Sequence, residues 1–197
     1  MKSRPLDDTT HYVNQQLDRN NSDREWLDIG VIFKYLPEDR LARVVDVGCR
    51  AGKFVTSLIK LGYLEAYGVD IGVNIWHTFP HQLRQNFIRC DVHDGIRVDG
   101  KFDLITCSHM LEHSHDPVKV LNIFKSKLKD TGILYICVPL DFTVRGMSHT
   151  PHYTFFESVQ DLCNFLENNG FEIIESNQTS KTHPTDIPNV MCFAKLK

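Results

Sequence analysis

The sequence predicts a doubly wound α/β fold, a mostly parallel seven-stranded sheet with helices on both faces, in a single domain. Three observations carry this prediction. Strand-like and helix-like segments alternate along most of the chain. The strand-like segments are saturated with apolar residues, as in strands covered on both faces. The first of them runs into a glycine-punctuated turn, "VVDVGCRAGKF", that opens directly into a helix.

The elements follow in order. Residues 1–21 are polar and read as an N-terminal arm in front of a domain spanning 22–197. A helix begins with Ser22 as N-cap and Glu25 three residues on, the capping-box spacing. Trp26, Ile29, Phe33 and Leu36 fall on one face of it, and Pro37 follows its end. "RVVDVGC" is the first strand, and the helix after it runs from Gly52 to Leu61, stopped by Gly62. "EAYGVDIG" is the second strand, "NIWHTFPHQLRQ" a short helix interrupted by Pro80, and "NFIRCDV" the third strand. "KFDLITCS" is the fourth, and "DPVKVLNIFKSKLK" is a helix with Asp116 as N-cap and Pro117 at its first position. "GILYICVP" is the fifth strand. "ESVQDLCNFLENNGFEIIES" supplies a helix, a Gly170 stop and the sixth, and "VMCFAKL" the seventh.

Composition narrows the function. A chain of 197 residues is long enough for one well-buried core. A formal charge of -3 leaves no net basic field for a phosphate backbone, which argues against general duplex nucleic-acid binding. The longest apolar runs, such as Gly132–Leu140, are too short to span a bilayer, and "MKSRPLDDTTHYV" lacks the apolar core of a secretory signal. None of the six cysteines forms C-x-x-C, so a reducing cytoplasm is the expected compartment.

In a doubly wound sheet, ligands bind at the carboxyl ends of the strands where the strand order reverses. That rule gathers Val47–Gly52, Asp70, Asp91 and residues 108–113 at one edge. The G-x-x-x-G spacing of Gly48 and Gly52 lets the backbone turn tightly against a ligand. A Walker A loop is excluded because Phe54 follows Lys53, and a dinucleotide fingerprint would need glycine where Arg50 stands. Asp46 at the base of the loop repels a pyrophosphate and suits a cationic, amine-bearing ligand. Asp70 comes about 20 residues further on, where a carboxylate accepts both hydroxyls of a ribose.

With these residues in place, the sequence resembles the class I S-adenosylmethionine-dependent methyltransferases, a Rossmann-like family. The resemblance rests on "VVDVGCRAG", "YGVDIG", "CDV", "FDLITCSHMLEHSHDP", "GILYICVP" and "HYTFFESVQDLCNFLENNGFEII", in order, across roughly residues 41–176. It is closest to the broad group containing sugar, antibiotic and quinone methyltransferases. The resemblance implies S-adenosyl-L-methionine as cofactor and a small-molecule or glycan acceptor. It implies that Asp46, Gly48, Cys49 and Gly52 shape the methionine pocket, with Ser108 lining its far side. Asp70 would hold the ribose hydroxyls and Asp91 the adenine amino group with Val92 beside it, and Ile71 would also belong to the cofactor site. Arg50 departs from the family, which usually has a second glycine there; its side chain is expected to face solvent or the substrate side.

"ITCSHMLEHSHDP" leaves several readings open. His109-Met-Leu-Glu112-His113 fits the H-x-x-E-H of a zinc peptidase, which needs both histidines on one stable helix. Here it hangs off a strand, and a new N-cap at Asp116 leaves barely one turn. Some relatives, including quinone-precursor and small-RNA end methyltransferases, use E-x-x-E-H to hold a divalent ion; here His109 replaces the first glutamate. That departure favours a site without metal, in which His109 or His113 does acid–base work, His113 packing beneath the pocket being the plainer alternative. His149 and His152, after strand five, are expected to overhang the same cleft, and His77 and His81 to lie on the surface. A further alternative is a catalytically silent cofactor-binding module.

Overall fold

Strands in which nearly every side chain is apolar must be covered on both faces, and this constraint shapes the whole sheet. The computed structural model describes residues 31–72, 81–140, 152–178 and 188–197. The expected arm, the Ser22 cap with Trp26 and Ile29, the Pro80 segment before residue 81, His77 and His149 lie outside the described residues.

The strands are β1 (Val44–Val47), β2 (Ala66–Asp70), β3 (Phe87–Arg89), β4 (Phe102–Ser108), β5 (Leu128–Pro139), β6 (Phe171–Gln178) and β7 (Asn189–Leu196). They form one sheet in the order β3-β2-β1-β4-β5-β7-β6. From β3 to β5 every pairing is parallel, whereas β7 runs antiparallel between β5 and β6. The described helices are α1 (Lys53–Lys60), α2 (Pro117–Lys127) and α3 (Val159–Asn168).

Alternate strand residues feed two cores. Val45, Val47, Ile105, Cys107, Leu134 and Ile136 point to one face, where Val120, Leu121 and Phe124 of α2 and Leu162 and Leu166 of α3 cover them. Val44, Leu104, Tyr135 and Cys137 point to the other, against Val55 and Leu58 of α1. The expected Asp116 cap holds, and Ser158, not foreseen as a cap, starts α3. Asp116 Oδ1 accepts from the Lys119 N–H at 2.9 Å, and Ser158 Oγ accepts from the Asp161 N–H at 3.1 Å. No helix among the described residues is long and apolar enough to cross a membrane.

Three local expectations shift. Phe33 is 48% exposed while Ile32 is buried, because the chain tightens into a 3-10 turn at Phe33–Tyr35 and changes the phase of the buried face. The new phase stacks Tyr35 on Phe193 of β7, with ring centroids 3.9 Å apart. β3 ends early because Asp91 Oδ1 captures the His93 N–H at 2.9 Å and turns the chain out of the ladder. β5 begins earlier than expected, at Leu128, where Lys129 Nζ reaches both carboxylate oxygens of Asp103 at 2.9 and 2.8 Å.

The cap on α2 gives a direct test of this local reading. Asp116→Ala should lower stability by about 1 kcal/mol through loss of the N-cap bond. A urea midpoint matching the parent's would show that the cap does not stabilise the helix.

Candidate functional site

The strand order reverses between β2 and β4 on either side of β1, and the predicted edge residues converge there. After β1 the chain turns through Gly48 (φ 82°), Arg50 (φ 46°) and Gly52 (φ 64°), all left-handed. The Gly48 and Cys49 N–H groups both donate to Val69 O of β2, at 2.8 and 3.1 Å. A Cβ on Gly48 would lie 2.7 Å from Met110 Cβ, so only glycine lets the two turns pass. Across from it, His109 is also left-handed (φ 51°) while its N–H donates to Cys137 O of β5 at 2.9 Å. Arg50 and His109 are the two left-handed non-glycine residues described, one after each strand flanking the switch point. Each such conformation costs about 1–2 kcal/mol, a load that clusters at functional edges.

Four carboxylates stand along this edge in different surroundings. Asp46 lies opposite Thr106 in the β1–β4 register, and Thr106 Oγ1 donates to Asp46 Oδ1 at 2.8 Å. Asp70 at the end of β2 accepts the Arg50 N–H on Oδ2 at 2.9 Å and the Gly72 N–H on Oδ1 at 2.7 Å. Burial raises its carboxyl above the ordinary 3.8, and these amides with the Arg50 charge offset only part of that. Arg50 itself is half-buried, and its charge acts on Asp70. Beside Asp70, Ile71 is 38% exposed and offers an apolar face. Burial, with Asp70 and Asp46 adding to it, pushes the Cys49 thiol well above its usual range; the neutral thiol packs in the core.

Asp91 follows β3, with Val92 buried behind it. His93 Nδ1 lies 2.7 Å from Asp91 Oδ1, and that hydrogen bond holds the Asp91 carboxyl below its ordinary value against its burial. The other ring nitrogen, Nε2, is 2.8 Å from Ser114 Oγ. Ser108 closes β4 in register with Cys137.

The segment after β4 is a three-residue 3-10 turn, Leu111–His113, preceded by the left-handed His109. A zinc-peptidase pair on one helix is therefore excluded. Glu112 is only 2% exposed, yet its Oε1 faces His109 Nδ1 at 3.5 Å and His113 Nε2 at 3.8 Å. Burial works to raise its carboxyl, but the two imidazoles outweigh it and keep Glu112 below its ordinary 4.5, hence ionised at neutral pH. Its second oxygen, Oε2, is buried without a hydrogen-bond partner. His152 packs edge-on against His113 with ring centroids 4.8 Å apart. One ligand atom from each of Glu112, His113 and His152 lies within 4.8 Å of the others. His152 thus joins the cleft as expected, and His109 flanks Glu112 from the other side. His81 is exposed, also as expected.

Sequence reasoning missed Thr106, Met110, His93 and Ser114. Only the histidine two residues beyond Asp91 carried a local signal, as a side chain able to fold back on its neighbour.

A family model described as a methyltransferase domain matches residues 4–176. The chain is 25% identical over 176 residues to a tRNA U34 carboxymethyltransferase of Campylobacter jejuni subsp. jejuni serotype O:6, covering 81% of this chain and 60% of that protein. It is 28% identical over 152 residues to a ubiquinone biosynthesis O-methyltransferase of Xanthomonas euvesicatoria pv. vesicatoria, covering 67% of this chain and 63% of that one. It therefore spans about 60% of the length of the first of these relatives. A SAM dependent methyltransferase from Aquifex aeolicus superposes with a TM-score of 0.71 at 17% identity, covering 94% of this chain and 98% of that one, a likeness of fold.

The Gly48–Met110 approach yields a prediction independent of any ligand. Gly48→Ala combines a left-handed backbone with a clash and should cost about 1–3 kcal/mol. Chemical unfolding that finds the variant as stable as the parent would show that the two turns have room to separate.

Proposed function

Because the chain belongs to the methyltransferase-domain family, we propose that it transfers a methyl group from S-adenosyl-L-methionine to an oxygen or nitrogen of a small-molecule or glycan acceptor. One observation carries this reading. The glycine turn, Asp46, Asp70 and Asp91 lie at or just past the carboxyl ends of β1, β2 and β3, and a buried Glu112 held between His109 and His113 follows β4.

The donor set fits the cofactor, whose sulfonium supplies an already activated methyl group when bound. Asp46 places negative charge where an ammonium and a sulfonium need it. Both Asp70 oxygens accept backbone N–H groups, and their remaining lone pairs are offered to the ribose hydroxyls. Ile71 offers an apolar face to the base, and Asp91 with Val92 reads its amino group. Gly48 and Cys49 approach with backbone alone, Gly52 opens α1, and Ser108 lines the methionine end.

Transfer of the sulfonium-borne methyl to an acceptor needs alignment first, the C–S bond breaking as the new bond forms, and an acceptor O–H or N–H must also lose its proton. His113 is the base in this reading, with His109 second. Glu112, 3.8 Å from His113 Nε2 and 3.5 Å from His109 Nδ1, stabilises the imidazolium that forms. The domain is taken as residues 22–197, with residues 1–21 a polar arm in front of it. The six free cysteines suit a cytoplasmic setting.

A second reading has a specific observation behind it. Glu112, His113 and His152 offer converging ligand atoms around a buried oxygen that lacks a partner, a set suited to one divalent ion. In that case the acceptor is an RNA end or a catechol-like diol; of the relatives named above, one is a tRNA carboxymethyltransferase and one an O-methyltransferase of ubiquinone biosynthesis. A silent module that binds cofactor without turnover is the remaining alternative.

Asp70→Asn turns an amide nitrogen toward one of two backbone N–H donors whichever way it lies. Its affinity for S-adenosylhomocysteine, measured by calorimetry, should fall at least about tenfold; parent-like affinity would remove Asp70 from the site. His113→Ala should lower turnover by roughly 10²–10⁴ with cofactor binding intact. Turnover is followed as S-adenosylhomocysteine released across phenolic, sugar and RNA acceptors. Full turnover after chelator dialysis supports the metal-free reading, and recovery only on adding a divalent ion supports the second. Binding without release from any acceptor leaves the silent module.

A further inference from the structure

Asp91, His93 and Ser114 form a hydrogen-bonded chain that crosses the cleft from the end of β3 to the segment after β4. Asp91 Oδ1 receives both the His93 N–H at 2.9 Å and His93 Nδ1 at 2.7 Å. An ionised carboxylate only accepts, so Nδ1 carries the proton. In the neutral ring Nε2 then accepts from the Ser114 hydroxyl, 2.8 Å away, and Ser114 Oγ accepts the Asp116 N–H at 3.2 Å. Every donor in the chain meets an acceptor in one consistent direction. The arrangement is not a nucleophilic triad. Ser114 is 1% exposed, and its oxygen is already engaged on both sides.

The two ends of the chain do different work. The Asp91 side chain is 43% exposed at the cleft. Without His93 such a carboxylate samples several rotamers; two bonds on one oxygen fix a single one. At the other end, Ser114 belongs to the segment that supports the histidine cluster. Ser114 O accepts from Thr154 Oγ1 at 3.1 Å, and Glu112 O accepts the Tyr153 and Thr154 N–H groups at 2.8 and 3.2 Å. His152, which packs on His113, sits at the start of that same strap.

We infer that His93 is a positioning residue that couples recognition of the adenine amino group by Asp91 to the placement of the Glu112–His113–His152 cluster. The inference rests on the proposed role of Asp91. An amino group bound on Asp91 further holds the rotamer that His93 selects; through His93 this steadies Ser114 and the strap that carries His152. The acceptor side is thereby ordered when the cofactor is in place.

Asparagine and glutamine separate the two bonds, because Asn places an amide nitrogen near the position of Nδ1 and Gln near that of Nε2. The full chain and its His93→Asn, His93→Gln and His93→Ala variants are titrated with S-adenosylhomocysteine. The same titration uses S-inosylhomocysteine, in which a carbonyl replaces the amino group. Amide hydrogen exchange over residues 112–116 is followed with and without S-adenosylhomocysteine. The parent should prefer the adenine compound, and its 112–116 amides should slow by about threefold or more on binding. His93→Asn should keep the preference and lose the slowing. His93→Gln and His93→Ala should lose roughly tenfold in preference. Variants that keep both properties and change only thermal stability would overturn the inference. So would a parent that binds both compounds equally, which would leave the methyltransferase reading standing. A parent that binds neither overturns both.

Discussion

The close approach of Gly48 to Met110 is the constraint on which the rest of this edge depends. Parallel pairing of β1 with β4 brings two crossover turns to the same place, and both must leave the sheet without colliding. A glycine in the left-handed region on one side and a left-handed histidine on the other satisfy the geometry. The solution fixes where the next residues go. His109 and Glu112 are thrown over the end of β4, and the loop before α1 is held on β2 by two N–H groups sharing Val69 O. An insertion in either turn would therefore displace side chains on both.

The carboxylates of the edge show how one fold gives a single residue type different behaviour. Asp70 keeps its acceptor oxygens among backbone amides, where burial still dominates and holds its proton more tightly than usual. Glu112 is buried more deeply by exposure, yet two imidazoles leave it ionised. Asp91 sits nearer solvent and owes its ionisation first to His93. Charge on this edge is set by the balance between each carboxylate's neighbours and its depth.

Much of this arrangement was legible in the sequence, for definable reasons. Apolar-saturated strands, the Asp116–Pro117 helix start and the glycine spacing after β1 are local signals; each is found in its expected place in the order, with the ends of β3 and β5 shifted. Asp70 and Asp91 follow from their places at strand ends. What stayed hidden depends on register across the sheet. Thr106 meets Asp46, and Met110 meets Gly48, only because β1 pairs with β4 in one particular alignment. His93 meets Ser114 across 21 residues for the same reason. The phase error at Phe33 has a different origin: a few residues of tighter winding reverse which side chain is buried, and composition does not show where a helix tightens.

The position of β7 carries a consequence for how the chain is made. It is the last strand in sequence, yet it lies inside the sheet, antiparallel to β5 on one side and β6 on the other. Until residues 189–196 leave the ribosome, β5 presents a long apolar edge and β6 has no neighbour to pair with. Vectorial synthesis therefore holds the half of the sheet carrying the cofactor-side turns ahead of the half that closes it. A nascent chain paused before β7 displays the exposed edge that chaperones bind and that seeds aggregation.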